Sequence, residues 1–205
     1  MKITKFPQSC LLLEGDGRLL IDPGTLGFGS TALGDLGRLD AVLFTHRHGD
    51  HCDPALVDEL IAAGAVLYGN ADICELLGAQ RVTRVDDGTA FSAAGFEVVP
   101  RDLPHVVMVD GSPGPPNTGF ILDGRLLHPG DGMRLDGLTI ELLAVPIAGP
   151  SISFHDAYAF VSDTGARTAV PIHYDLFTAR PEQFANACDI AEVVVLRDGE
   201  STDIG

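Results

Sequence analysis

The stretch Thr45-His46-Arg47-His48-Gly49-Asp50-His51 places three histidines and an aspartate directly after a run of apolar residues. In an extended segment alternate side chains share a face, so His46 and His48 can bind one metal ion. The bend expected at Gly49 lets Asp50 and His51 turn towards a second ion. The stretch therefore predicts a metal site, and its spacing allows two ions.

Short apolar runs bounded by glycine, aspartate and proline predict strands on both sides of this motif. The run Ala41–Phe44 is the strand before it. Asp53 and Pro54 then begin a predicted helix that Gly64 ends, so the motif occupies a strand-to-helix loop. Further strands are predicted over residues 1–7, 10–14, 18–22, 66–68, 96–100, 119–122, 125–127, 138–145, 169–172 and 193–196, and helices over residues 71–77, 153–162 and 181–188.

The second half of the chain repeats this pattern of the first half. Strands with interspersed helices, in two similar halves, predict two sheets packed together under outer helices. With 205 residues, of which 45% are hydrophobic, the chain is long enough to bury a sizeable core. We therefore expect one domain spanning residues 1–205.

The formal net charge of −16 argues against a nucleic-acid partner, because an acidic surface repels polyanions. We expect a small-molecule substrate instead. The N-terminus does not have the pattern of a signal peptide, and no apolar run approaches membrane-spanning length, so a cytoplasmic protein without a membrane partner is expected. The oligomeric state stays open between a monomer and a homo-oligomer, because hydrophobic periodicity does not distinguish a core from an interface.

The cysteines are widely spaced and form no CxxC pair; they are Cys10, Cys52, Cys74 and Cys188. This spacing favours buried or free thiols over disulfides in a chain with no export signal. Cys52 adjoins the histidine motif and is either a metal ligand or, as we favour, part of the core.

A site for two metal ions needs more ligands than the motif supplies, and three candidates stand near the ends of predicted strands. These are His105, Asp131 and His173. Taken singly, a histidine is more often a hydrogen-bonded surface or core residue than a ligand, and a Gly-Asp-Gly sequence is typical of an ordinary turn. However, five of the seven histidines stand either in the motif or beside a strand end, which favours ligands.

Three further residues have two interpretations each. His128 either orients a ligand or lies at the surface where a strand ends. His155, at the start of a predicted helix, favours a cap or surface role. Tyr174, next to His173, either donates a hydrogen bond to the substrate or packs in the core.

With these residues in place, the chain resembles the metallo-β-lactamase superfamily, whose motif Thr-His-x-His-x-Asp-His stands at residues 45–51. The resemblance extends over residues 3–6, 10–14, 20–24, 105, 128–131 and 171–174. It is greatest for the compact branch of ascorbate-phosphate lactonase-like and poorly characterised metal-dependent hydrolases. The fold it implies is an α/β, four-layer αββα sandwich of the metallo-β-lactamase type, with the site at one edge of the sheets.

The resemblance also implies a set of seven ligands, three for each ion and one between the ions. They are His46, His48 and His105 for the first ion, Asp50, His51 and His173 for the second, and Asp131 between them. One departure concerns the residue after Asp131, where many relatives have threonine or serine and this chain has Gly132. A hydroxyl contact at that position is therefore in doubt.

Imidazole and carboxylate ligands suit zinc best, so we expect two Zn²⁺ ions, with Mn²⁺ or iron as alternatives. Two such ions, about 3.5–4 Å apart, would share a hydroxide that attacks a small ester, lactone or phosphodiester. Asp50 would orient this hydroxide or take its proton. Two other hypotheses are an iron-dependent oxidoreductase on the same scaffold and a metal-stabilised binding protein without turnover.

Overall fold

The computed structural model describes residues 1–134 and 137–204. Its strands are β1 Lys2–Lys5, β2 Leu11–Glu14, β3 Arg18–Ile21, β4 Ala41–Phe44, β5 Val66–Gly69, β6 Val82–Arg84, β7 Phe91–Ala93, β8 Phe96–Asp102, β9 Thr118–Leu122, β10 Leu126–His128, β11 Leu142–Pro146, β12 Thr168–Ile172, β13 Glu192–Val193 and β14 Ser201–Asp203. Its α-helices are α1 Val57–Ala62, α2 Ala71–Leu77, α3 Phe154–Thr164 and α4 Pro181–Ala187, and Leu33–Leu36 and Pro54–Leu56 form 3₁₀ turns.

The strands form two seven-stranded sheets of the same design. The first sheet has the order β14-β1-β2-β3-β4-β5-β6, and the second has the order β13-β12-β11-β10-β9-β8-β7. Read from β14 and from β7, each sheet begins with antiparallel pairs and continues with parallel pairs. The prediction of two similar halves is confirmed.

Strand residues alternate between two apolar layers, because successive side chains of a strand point to opposite faces. In β4, Ala41 and Leu43 pack between the two sheets, whereas Val42 and Phe44 pack under α1 and α2. Strand β11 alternates in the same way between the space between the sheets and the layer under α3 and α4. The layers therefore run helix, sheet, sheet, helix, and the predicted αββα sandwich is confirmed.

The helices begin where capping residues stand in the sequence. The Asp53 side chain accepts a hydrogen bond from Ala55 N (2.9 Å), and Pro54 opens the 3₁₀ turn that leads into α1. Ser153, not His155, caps α3 in a reciprocal pair with Asp156. The His155 side chain is exposed, which leaves it the predicted surface role.

Two predicted strands are shorter than expected, and three strands were missed. The strand predicted over residues 193–196 is the two-residue strand β13. Val194 N still donates a hydrogen bond to the Ala169 carbonyl, but the chain then leaves the sheet and Leu196 packs between the two sheets. The strand predicted over residues 138–145 begins only at Leu142. Among the missed strands β6, β7 and β14, the sequence Ser201–Asp203 is polar. It pairs with β1 through its backbone and through the hydroxyl groups of Ser201 and Thr4, which lie 2.8 Å apart.

All four cysteines are buried and free, as their spacing predicted. Within residues 1–134 and 137–204, no helix is both long and apolar enough to cross a membrane.

Gly132 lies where the backbone of two segments meets closely. His105 and Gly132 form an isolated antiparallel bridge. A Cβ atom at Gly132 would lie 2.6 Å from Leu103 Cβ, 2.9 Å from the Leu103 carbonyl oxygen and 3.0 Å from Asn117 Nδ2. There is no room for threonine or serine here, so the departure noted in the sequence has a packing reason.

Gly132→Ser should therefore lower the free energy of unfolding by about 1–3 kcal/mol, the usual cost of overpacking. Urea denaturation measures this change. Gly34→Ser is the matched control, because a Cβ at Gly34 would meet no atom within 4 Å. Equal stability of the two variants would contradict the packing explanation.

Candidate metal centre

Loops from both sheets converge at one edge of the sandwich, and each follows the carboxyl end of a strand. The histidine motif follows β4, His105 follows β8, Asp131 follows β10 and His173 follows β12. In open α/β sheets, ligands bind outside the carboxyl ends of strands in this way. The fold thereby brings residues from distant parts of the chain to a single place.

The seven predicted ligands form two groups there. One group contains His46, His48, His105 and Asp131, and the other contains Asp50, His51 and His173. Within each group, all the potential ligand atoms lie within 4.8 Å of one another. The division coincides with the one that the resemblance implied.

The carboxylate of Asp131 faces both groups. Its Oδ2 lies 3.3 Å from Nε2 of His105 and 3.4 Å from Nε2 of His173. Its Oδ1 lies 3.3 Å from Nε2 of His51. Oδ2 of this carboxylate therefore lies near both groups, a position from which Asp131 can contact two cations.

The outer nitrogen atoms of three imidazoles are held by acceptors of the protein. Nδ1 of His51 lies 2.8 Å from the Asp22 carboxylate. Nδ1 of His105 and Nδ1 of His173 each lie 2.6 Å from a backbone carbonyl, of Val106 and Ala148 respectively. Carbonyl and carboxylate oxygens only accept hydrogen bonds, so each Nδ1 carries a proton and each Nε2 atom points inward.

In the interior of the centre, inward ring nitrogen atoms face carboxylate oxygens. Nε2 of His51, Nε2 of His105 and Oδ1 of Asp131 are buried and have no hydrogen-bond partner among the described residues. An unpaired buried polar group costs about 1–3 kcal/mol. Cations between these atoms would remove that cost, so the residues fit a pair of divalent metal ions.

The charges of the centre shift the pKa values of its side chains. Burial alone would raise the pKa of Asp131, but His51 and His173 hold it well below its ordinary value. Burial, followed by the neighbouring His51, lowers the pKa of His46 and keeps that ring neutral. Burial would also lower the pKa of His51 and of His173, but the Asp131 carboxylate raises both overall, so these rings attract positive charge. Metal ions bind ionised carboxylates and neutral imidazoles, so bound ions would take the place of those protons.

Asp22 is the residue that positions the histidine motif. Its fully buried carboxylate accepts hydrogen bonds from Thr45 N (2.8 Å), Thr45 Oγ1 (2.7 Å) and His51 Nδ1. Thr45 Oγ1 in turn lies 3.0 Å from Nδ1 of His46. One carboxylate thus fixes His51 directly and His46 through Thr45. Asp22 was predicted as the last residue of the strand over residues 18–22 and as part of the 20–24 segment, without a role, although an aspartate directly after a buried strand was the available signal.

Gln8 positions Asp50 and was missed entirely. Gln8 Nε2 donates to Asp50 Oδ2 (2.9 Å), and the Gln8 carbonyl accepts from His173 N (2.9 Å). Gln8 N donates to Asp175 Oδ2, which also accepts from Nζ of the fully buried Lys5. No local sequence pattern marks Gln8, because its partners are distant in the chain.

Tyr174 does not reach the site, so its predicted hydrogen bond to the substrate is wrong. The hydroxyl donates to the Leu196 carbonyl (2.8 Å), and Lys5 Nζ lies 4.5 Å from the ring centroid. The backbone of His173 has a positive φ of 60°, so these consecutive side chains turn to different sides. Tyr174 packs, as the second interpretation held.

His128 and Cys52 are structural residues. His128 is fully buried, not at the surface; its Nε2 donates to the Ser9 carbonyl (2.7 Å) and its Nδ1 accepts from Gly130 N, which fixes the turn before Asp131. Cys52 packs between the first sheet and its helices and belongs to neither ligand group. Burial, with Asp22 and Asp53 nearby, raises the pKa of the Cys52 thiol to about 12.

Asp22→Asn should lower the affinity for metal ions by roughly 10–100-fold, the usual effect of losing a residue that orients ligands. The amide oxygen cannot replace both carboxylate oxygens, so His51 and Thr45 lose a shared anchor. Competition with a chelating dye measures the affinity. Asp163→Asn, at an exposed position near the end of α3, is the control, and equal affinities in the two variants would contradict the role of Asp22.

Comparison with known proteins agrees with this geometry. A family model described as the beta-lactamase superfamily domain matches residues 2–173. The Mycobacterium tuberculosis protein Rv0786c is 33% identical over 184 residues, which cover 84% of each chain. A UPF0173 metal-dependent hydrolase of Pelotomaculum thermopropionicum is 29% identical over 236 residues, covering 100% of both.

Among solved structures, the metallo hydrolase Igni18 of the hyperthermophilic archaeon Ignicoccus hospitalis has the same fold. Its TM-score is 0.81 at 23% identity, over 100% of this chain and 99% of that chain. The region that the family model matches is most of the sequence, and it includes the histidine motif, His105, Asp131 and His173. The chain therefore belongs to the metallo-β-lactamase superfamily.

Proposed function

We propose that this protein is a metal-dependent hydrolase that binds two Zn²⁺ ions and cleaves a small ester, lactone or phosphodiester. The observation that carries the proposal is the set of buried acceptor atoms on His51, His105 and Asp131 that lack partners among the described residues. The Pelotomaculum relative, named a metal-dependent hydrolase, supports the class of reaction.

Zinc is proposed because the centre offers five imidazoles and two carboxylates, and no thiolate, among the groups that the described residues form. Bound there, the ions would supply a water nucleophile of lowered pKa and would polarise the oxygen of the scissile bond. The protein supplies the frame, because four of the five histidines have a hydrogen-bond partner on the outward ring nitrogen, namely His46, His51, His105 and His173. Their inward nitrogen atoms therefore need little rearrangement on binding.

Asp50 is the candidate proton acceptor. Gln8 and His173 hold its Oδ2, with the His173 Nε2 atom at 3.2 Å, and the residue is only partly buried and lines the cavity in front of the centre. Burial would raise the pKa of Asp50, but the His173 contact, His51 and Gln8 lower it overall, so the carboxylate is ionised at neutral pH. An ionised carboxylate beside the cavity can orient a water molecule or take its proton.

Asp131→Ala should abolish turnover and lower the metal content, because it removes the carboxylate shared by both ligand groups. Tyr174→Phe is the matched control, because the Tyr174 hydroxyl donates its hydrogen bond to the Leu196 carbonyl and not to the site. Its turnover should stay within about threefold of the wild type, a smaller decrease than the loss of a catalytic proton donor causes. Hydrolysis of ester, lactone and phosphodiester panels and metal analysis provide the readouts. Full turnover in Asp131→Ala would contradict the proposal.

Metal analysis of protein from unsupplemented cells separates the remaining hypotheses. Two zinc ions per chain, with activity lost on chelation and restored by Zn²⁺, is the expected result. Stoichiometric iron with oxygen consumption would contradict it and would favour an oxidoreductase. Binding of a metabolite without conversion under any metal would favour a binding protein.

A further inference from the structure

We propose that the substrate is a neutral ester or lactone with an apolar group, and that the loop formed by residues 106–112 binds this group together with Ile152 and Phe177. This inference rests on the proposed hydrolase function and narrows its substrate class. It excludes phosphodiesters and other anions as preferred substrates.

The space in front of the metal centre is large enough for such a molecule. A cavity of about 500 Å³ opens onto five of the proposed ligands, namely His48, Asp50, His105, Asp131 and His173. This volume lies within the usual range of small-molecule sites. Beyond the ligands, its lining is mainly apolar and includes Val106, Val107, Met108, Val109, Ile152 and Phe177.

The lining offers no positive side chain to an anionic substrate. No lysine or arginine lines the cavity in the part of the chain that the structure describes. Its one acidic residue outside the centre, Asp110, is held by Ser112, whose N and Oγ lie 3.0 and 2.6 Å from Oδ1. Sites that select phosphate or carboxylate groups usually provide arginine, lysine or a free helix N-terminus. An anion would also approach a chain with a net charge of −16.

The helix that begins near the cavity cannot supply this missing positive charge. Ser151 and Ile152 line the cavity, and α3 starts at Phe154. The first turn of α3 already contains the Asp156 carboxylate, which accepts from Ser153 N (2.9 Å) and Ser153 Oγ (2.6 Å). The positive end of this helix dipole is therefore compensated within the chain.

The loop presents apolar side chains that the chain itself does not cover. Val107 is 60% exposed and Val109 is 76% exposed. Exposed apolar groups beside a cavity are typical of binding sites, since covering them is favourable by about 25 cal/mol per Å². The neutral lining and the open apolar rim fit the same occupant, an uncharged molecule with an alkyl or aryl group.

The loop is fixed relative to the metal ligands. Val106 N donates to the Asp131 carbonyl (3.0 Å), and the Val106 carbonyl accepts from Nδ1 of His105 (2.6 Å). Met108 N donates to the Ser112 carbonyl (2.8 Å), which closes the turn. An apolar group on this loop would therefore hold the scissile bond at a set distance from the centre, as positioning by remote binding requires.

The test compares the zinc-loaded full chain on matched p-nitrophenyl substrates: acetate, butyrate, hexanoate, the hemisuccinate anion, and bis-p-nitrophenyl phosphate. We expect kcat/KM to rise by up to about fourfold for each added CH₂ until the cavity is filled. The hemisuccinate should react at least about tenfold more slowly than the butyrate, because its charge has no partner. A flat dependence on chain length, or preference for either anion, would overturn the proposal.

Two variants locate the apolar contact. The double variant Val107→Ser, Val109→Ser should reduce the hexanoate-to-acetate ratio of kcat/KM, whereas Ile190→Ser, at an exposed apolar position that is not part of the cavity, should leave this ratio unchanged. Val109→Lys should shift the preference towards the hemisuccinate. The double variant could instead convert a dimer into a monomer and leave the hexanoate-to-acetate ratio unchanged. In that case the loop is an interface with a second copy of the chain, and the proposal fails.

A binding measurement separates this inference from the proposed function. Calorimetry with a straight-chain methyl ketone and with a carboxylate of equal length requires no turnover. Binding of the ketone alone, weakened by the double variant, supports the neutral apolar site even if no ester is cleaved. Binding of the carboxylate alone would overturn the inference of a neutral apolar site. Cleavage of the phosphodiester alone would also overturn this inference, but it would leave the proposed hydrolase function intact.

Discussion

The carboxylate of Asp131 lies 3.3–3.4 Å from three imidazole nitrogen atoms whose rings donate outward, on His51, His105 and His173. Acceptors at such distances repel one another unless positive charge lies between them. In a buried place, water cannot supply that charge, so either protons or metal ions must. The two ligand groups, each with its atoms within 4.8 Å, provide the number and type of ligands that divalent ions need. The rest of the structure serves to maintain this unfavourable arrangement.

The fold maintains it with hydrogen bonds between segments that are distant in the chain. Asp22, at the end of β3, holds the motif after β4, and Gln8 connects Asp50 to His173. Non-glycine residues with positive φ stand at these positions: Gln8 (58°), Asp22 (50°) and His173 (60°). Strained backbone of this kind persists where the surrounding contacts over-determine it, and it concentrates at functional sites. The apolar layers beneath the edge provide that rigidity.

The sequence was sufficient to predict the layers and the side chains that meet at the centre, because both leave local patterns. Continuous apolar runs such as Ala41–Phe44 predict strands covered on both faces, and the motif at residues 45–51 has ligand spacing within one loop. Gln8 could not be assigned its role, since a hydrogen bond between distant segments has no local signal. For Asp22 the one local signal was its position directly after a buried strand. The polar strand β14 was missed because backbone pairing needs no apolar alternation. Tyr174 was misassigned because adjacency in sequence to His173 does not determine direction when the backbone turns through positive φ.

We propose that two metal ions lie among these seven side chains, and anomalous diffraction from crystals of the zinc-loaded protein locates such ions. Two peaks are expected at the zinc edge, one beside His46, His48 and His105 and one beside Asp50, His51 and His173, with Asp131 between them. A single peak, or peaks elsewhere with His105, Asp131 and His173 turned away from the motif, would contradict it.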